Sequence, residues 1–225
     1  MDCVILTSVD GRRHLTEVLP VLKAGKPVFI DKPIAGSMKD TIAIFQAAEE
    51  YKVPVFSSSS LRWSKNAHAL RYGELVGKVL GADTYGPATI EPTHPDLFWY
   101  GIHGIELLYT VMNTGCKEVL RVHQPDTDFV VGTWNDGRVG SYRGSRSGRI
   151  SINGTAFGEK GIHEIGPSEG YVPMLVEIIR FFETGIPPVS PEETIELVAF
   201  MEAADESKRR GGQAVSLEEI IYQQR

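Results

Sequence analysis

The sequence predicts an α/β segment with a parallel sheet over residues 1–62, then an α+β segment over residues 63–225 built on a mainly antiparallel open sheet with flanking helices. Three observations carry this. Strand and helix signals alternate through the first sixty residues, as in βα units. From about Gly77 the pattern changes to strands of mixed character. Two amphipathic stretches near the C-terminus then read as packing helices.

Cys3-Val4-Ile5-Leu6 is a continuous, partly β-branched apolar run, the composition of a parallel strand covered on both faces. Leu15, Val18, Leu19 and Leu22 then recur at helical spacing, with Gly25 and Pro27 as the stop and Pro20 predicting a kink. Val28-Phe29-Ile30 is the second strand. Ser37 to Asp40 has capping-box-like spacing ahead of a helix carrying Ile42, Phe45 and Ala48. The third strand is Val53 to Phe56, ending in the run Ser57-Ser58-Ser59-Ser60 before Leu61-Arg62-Trp63. These elements amount to a partial Rossmann-like sheet, with the change of domain between Ser60 and Gly77. Further on, Asp136-Gly137 between strand-like runs marks a hairpin. Met174, Leu175, Ile178, Ile179 and Phe182 fall on one helical face, as do Thr194, Leu197, Val198 and Met201 after Pro191. Arg143, Arg146 and Arg149 read as solvated strand positions more readily than as an anion site.

With 42% hydrophobic and 23% charged residues, the chain can bury one large or two modest cores. A net charge of -6 argues against a nucleic-acid surface, leaving small neutral or anionic ligands. Cys3 and Cys116 are widely separated and suggest neither a disulfide framework nor a cysteine metal site. No apolar stretch is long enough to span a bilayer and no signal-peptide pattern opens the chain, so the expectation is a cytoplasmic protein without a membrane partner.

In parallel α/β sheets the ligand crevice lies beyond the carboxyl ends of the strands. Lys32 stands at such an end, with Ser8 and Asp10 after the first strand and the run Ser57 to Ser60 with Arg62 after the third. Pro33 holds residue 32 extended, and the bond between them is one of the few types open to the cis form. The ammonium therefore leaves the strand in a fixed direction.

The stretch from His14 through Ala24-Gly25-Lys26-Pro27-Val28-Phe29-Ile30-Asp31-Lys32-Pro33 resembles the Gfo/Idh/MocA oxidoreductases, in which this segment reads A-G-K-x-V-x-x-E-K-P. The resemblance implies that Lys32 lies beside nicotinamide and substrate and polarises the reacting hydroxyl. It assigns Ser8, Asp10, His14, Asp31, Lys32, Pro33 and Arg62 to the cofactor side of the site, with NAD or NADP as the cofactor. No two of the 23 glycines lie two positions apart, so the G-x-G-x-x-G phosphate turn is absent. The expectation is a chain lacking the N-terminal half of its nucleotide-binding domain, inactive in isolation and binding nicotinamide cofactors only weakly.

A second candidate site is Asp96-Leu97-Phe98-Trp99-Tyr100-Gly101-Ile102-His103-Gly104-Ile105-Glu106. The family places D-x-x-x-H at a helix start here, the histidine exchanging a proton with the substrate hydroxyl. By resemblance His103 takes that role and Glu106 matches the following acid. Trp99 stands where the aspartate belongs, and an indole cannot accept a proton. On a continuous helix Asp96, seven residues before His103, would share its face and could substitute. The catalytic set is therefore Lys32, His103, Asp96 and Glu106, with no metal. The resemblance implies a sugar, cyclitol or related polyol as substrate, and the apolar run Cys3 to Leu6, left at a sheet edge, predicts a homo-oligomer. One alternative is a non-catalytic relative or fragment with a sugar-binding or oligomerising role; another, weaker one is a metal site of His94, Asp96, His103 and Glu106.

Overall fold

The computed structural model describes residues 2–223. β1 (Val4–Leu6), β2 (Val28–Asp31) and β3 (Val55–Ser58) form a parallel sheet in that spatial order. α1 (His14–Lys23) and α2 (Met38–Tyr51) supply the crossovers. Val28, Ile30 and Val55 join Val18, Leu22, Ile44 and Ala48 in the main core. Phe29 and Phe56 point to the opposite face, where they meet Met174, Ile178 and Phe181 of α5 (Val172–Thr184). Ile5 is in register with Phe29 and so shares that face, yet it stays 50% exposed because β1 is the edge strand.

Local chemistry explains the boundaries. Ser37 Oγ caps α2 by accepting the Asp40 N–H at 3.1 Å, as its spacing predicts. α1 continues through Pro20 to Lys23, because a missing N–H forfeits one bond of the ladder without ending the helix. β3 begins two residues later than predicted and takes in Ser57 and Ser58, which pair with Ile30 and Asp31.

The second sheet has seven strands in the order β10 (Val215–Ser216), β5 (Cys116–Gln124), β6 (Thr127–Trp134), β7 (Val139–Ser145), β4 (Val79–Pro87), β8 (Asn153–Gly158), β9 (Gly161–Glu164). Neighbours are antiparallel except β4 and β7, which run parallel. The predicted hairpin joins β6 to β7, and Gly137 takes the φ of 86° that its turn needs. α4 (Ile102–Met112) and α6 (Pro191–Arg209) cover one face; the Tyr109 ring lies 5.8 Å from Trp134 and 5.6 Å from Phe200. A Cβ on Gly104 would stand 2.3 Å from the Tyr142 ring, so only glycine lets α4 approach this closely. The other face keeps Leu80, Tyr85, Val122, Val139 and Ile162 substantially exposed. α3 (Lys65–Arg71) and α7 (Leu217–Tyr222) are too short to give a periodic signal. Among the described residues, no helix is long and apolar enough to cross a membrane.

Candidate active site

Three segments meet at the carboxyl end of the parallel sheet. Lys32 leaves the end of β2, and the Lys32–Pro33 peptide is cis. Its Nζ lies 3.4 Å from the Trp99 carbonyl oxygen and 5.8 Å from the centre of the Tyr100 ring. The His103 ring, in the first turn of α4, lies 5.4 Å from the same Tyr100 ring. Lysine and histidine, 71 positions apart in the chain, thus both approach one tyrosine ring. Burial lowers the Lys32 pKa, with Asp31 and Glu106 opposing the shift. Burial, and then the Lys32 charge, press His103 down to about 3, so its imidazole is neutral at physiological pH.

The group that orients His103 was not identified from the sequence. Ser59 Oγ lies 2.7 Å from His103 Nδ1. Ser59 also caps the 3₁₀ turn Ser60–Trp63, and its own N–H donates to Glu106 Oε2 at 2.8 Å. Glu106 accepts further bonds from Ser58 Oγ at 3.1 Å and Arg62 Nε at 2.8 Å. Arg62 donates onward to Glu193 of α6 at 2.5 Å, and Arg71 of α3 donates to the same carboxylate at 2.9 Å. Burial pushes Glu106 upward, while Arg62 and the Ser58 and Ser59 donors pull it back. This balanced, enclosed network fixes the floor beneath His103. The signal was the serine run after β3, which sequence reading placed at the crevice without singling out Ser59.

The structure gives the other expected residues partners of their own and overturns the substitution expected of Asp96. Asp96 does not substitute for the missing acid, because α4 begins only at Ile102 and the Asp96 carboxylate accepts from Arg121 at 2.8 Å and Lys208 at 2.7 Å. Glu106 and Arg62 are buried and paired with each other at 2.8 Å. His14 is fully buried, its Nε2 facing the Ser8 carbonyl at 2.7 Å and its Nδ1 the Pro33 carbonyl at 2.9 Å; it ties together the loops after β1 and β2. Ser8 Oγ donates to Glu17 at 2.5 Å, and Asp10 pairs with Arg12 at 2.6 Å. Asp31 stays half-buried at the end of β2, its carboxyl pushed up by burial against the pull of Lys32. The four residues of the metal alternative are dispersed: His94 faces Asp10 at 3.3 Å, and His103, Glu106 and Asp96 each have the other partners named above. Among the described residues, no group of three or more histidine, cysteine or acidic side chains is arranged to hold a metal ion. Arg143 lies over the Phe129 ring and Arg146 pairs with Asp128, so neither forms an anion site.

No protein-family profile and no curated protein matches the chain. Solved structures do. GenD2 from gentamicin A biosynthesis, in complex with NAD, aligns at 19% identity over 96% of this chain and 78% of its own, with a TM-score of 0.81. An oxidoreductase from Thermotoga maritima aligns at 17% over 98% of this chain and 79% of its own, TM-score 0.80. Apo scyllo-inositol dehydrogenase from Lactobacillus casei aligns at 14% over 96% of this chain and 79% of its own, TM-score 0.79. This chain has the Gfo/Idh/MocA oxidoreductase fold. At these identities the likeness is one of fold, and the chemistry must be argued from the crevice.

A nicotinamide dinucleotide poses two separate demands. Its reactive ring needs a polar, partly desolvated edge beside a substrate oxygen, and Lys32 with His103 fits that end. Its pyrophosphate needs free backbone donors at a glycine turn or helix N-terminus. Among the described residues no glycine-rich turn follows β1, and a Cβ on Gly11 would already stand 2.8 Å from Pro33 Cγ, so that loop is filled by protein. The phosphate end does not fit.

Proposed function

We propose that this chain carries the substrate side of a nicotinamide-dependent oxidoreductase acting on a sugar, cyclitol or related polyol. The observation supporting this most directly is the pairing of Lys32 and His103 about Tyr100 at the carboxyl end of the parallel sheet. In a half-desolvated crevice an ammonium stabilises negative charge developing on a substrate oxygen far better than it does in water. The neutral imidazole supplies a second hydrogen bond to the same oxygen, and Tyr100 offers an apolar wall for a sugar ring. The cofactor, NAD or NADP, would supply or remove the hydride. The neighbouring folds, one of them an NAD complex and one a scyllo-inositol dehydrogenase, support this reading.

One observation favours the alternative of a sugar-binding protein without turnover: His103 is oriented by a serine and titrates near 3, a weak base for deprotonating a hydroxyl. Turnover separates the two. Because the phosphate end does not fit, purified chain is assayed with NADH or NADPH raised to about millimolar concentration, where a panel of cyclitols, aldoses and their keto forms should show slow interconversion of at least one pair, and Lys32→Ala should lower it by roughly 10²–10³. Saturable polyol binding with no turnover would establish the alternative. Two cysteines without a disulfide, Cys116 being buried, support a reducing, cytoplasmic setting, and the uncovered β1 edge supports a homo-oligomer.

A further inference from the structure

Ser59 is 1% exposed, and its hydroxyl has two neighbours. Its Oγ accepts the Leu61 N–H at 3.4 Å and lies 2.7 Å from His103 Nδ1. Ser58 Oγ and the Ser59 N–H, not Ser59 Oγ, serve Glu106. Among the described residues the Ser59 hydroxyl proton therefore has one acceptor, Nδ1. A buried hydroxyl left without an acceptor is costly, so Ser59 donates, and a neutral imidazole that accepts at Nδ1 keeps its hydrogen on Nε2. Among the described residues His103 Nε2 has no hydrogen-bond partner, and His103 as a whole is only partly buried, which leaves that nitrogen to the crevice.

We infer that Ser59 fixes His103 as the Nε2–H tautomer, so that the crevice presents two donors, the Lys32 ammonium and the His103 Nε2–H, to a single substrate oxygen. A carboxylate orienting the same ring would do the opposite, accepting from Nδ1–H and leaving Nε2 as a base. The serine thus reverses the polarity of the site. A carbonyl oxygen accepts both hydrogen bonds with its two lone pairs. A hydroxyl can also accept them, but its proton finds no base at Nε2. The ligand class is therefore the keto form of a polyol, held in an oxyanion-type cradle. The ligand rests on the oxidoreductase reading above; the tautomer rests on the Ser59 contact alone.

Two measurements keep these separate. In the intact chain labelled with ¹⁵N-histidine, long-range ¹H–¹⁵N correlation between pH 5 and 8 should give the Nε2–H pattern for His103. Ser59→Ala should lose that preference and Ser59→Thr should retain it. An Nδ1–H pattern in the unsubstituted chain, or one unchanged in Ser59→Ala, overturns the inference. Calorimetric titration with 2-keto-myo-inositol and with myo-inositol should show the ketone binding at least tenfold more tightly. Equal or reversed affinities overturn the donor pair. If neither binds, the polyol reading and the donor pair fall together, while the tautomer is still judged by the histidine spectrum.

Discussion

Arg62 and Arg121 are both buried arginines shared among carboxylates, and they serve different ends. Arg62 joins Glu106 and Glu193, with Arg71 completing a set of two cations and two anions. Through Glu106 this set holds the Ser59 backbone, and through Ser59 it holds His103. Arg121 is fully enclosed and gathers three aspartates, Asp96 at 2.8 Å, Asp128 at 2.7 Å and Asp205 at 2.5 Å. Lys208 and Arg146 balance them, and His123 lies 2.7 Å from Asp128. No member of this second set bonds Lys32, Ser59 or His103; it ties β5, β6, α6 and the segment before α4. The contrast teaches that burial and ion pairing do not identify a site. What separates the two is whether the network ends on a group left open to the crevice.

The largest expected effect lies in the second network. Arg121→Ala breaks three buried pairs at once and leaves Asp205 without a cation, while Lys208 stays on Asp96 and Arg146 on Asp128, so denaturant titration should show a loss of ~3–5 kcal/mol, as is typical of breaking a buried ion pair. Arg62→Ala should cost less, within that same ~3–5 kcal/mol range, because it breaks two buried pairs instead of three: Arg71 remains on Glu193, and Glu106 keeps its neutral donors Ser58 and the Ser59 N–H. It should also broaden or shift the His103 resonance, which Arg121→Ala at equal native population should not. Matching effects on His103 would erase the distinction between the networks.

Lys32→Ala tests the open end. If the oxidoreductase reading holds, turnover should fall by roughly 10²–10³, the cost of removing one electrostatic donor. Stability should change by less than about 1 kcal/mol, since Lys32 has only a long bond to the Trp99 carbonyl. Equal losses of both would mark a structural lysine.

The two regions also titrate in opposite senses. Burial raises Asp205 to about 7, against the pull of Arg121, so the native state binds more protons than the unfolded chain between about pH 4 and 7. Its contribution to stability falls as pH rises through that window, and Asp205→Asn should flatten this slope. His103 is depressed to about 3, so the native state binds fewer protons between about 3 and 6.5. Stability is lost as pH falls through that window, and His103→Gln should remove that component. Thermal melts across pH 4 to 8 decide both. The smallest effect concerns the sheet edge: Ile5→Lys should shift the chain toward monomer in light scattering, with little change in melting temperature.

The α/β segment was legible because parallel strands covered on both faces leave unbroken apolar runs, as in Val28-Phe29-Ile30, and because Ser37 and Gly25 punctuate the helices. Lys32 was legible for a related reason: Pro33 and the strand end fix its place. The role of Asp96 was misread because its partners, Arg121 and Lys208, lie 25 and 112 positions away, and no periodicity reports a pairing of that kind. Ser59 was passed over because one serine in a run of four is indistinguishable until β3 fixes which of them reaches α4. The parallel pairing of β4 with β7 was hidden for the same reason, since strand order in a mixed sheet depends on contacts far apart in sequence.

The crevice between Lys32 and His103 is assigned here as the place where ligand chemistry occurs. Histidine-detected NMR of the chain titrated with a keto-cyclitol in the presence of NADH tests it most directly, since the chain has six histidines distributed over the molecule. The His103 signal should move with the ligand, His68, His123 and His163 should stay fixed, and Lys32→Ala should abolish the response. Binding detected by calorimetry without any movement of His103 would contradict it.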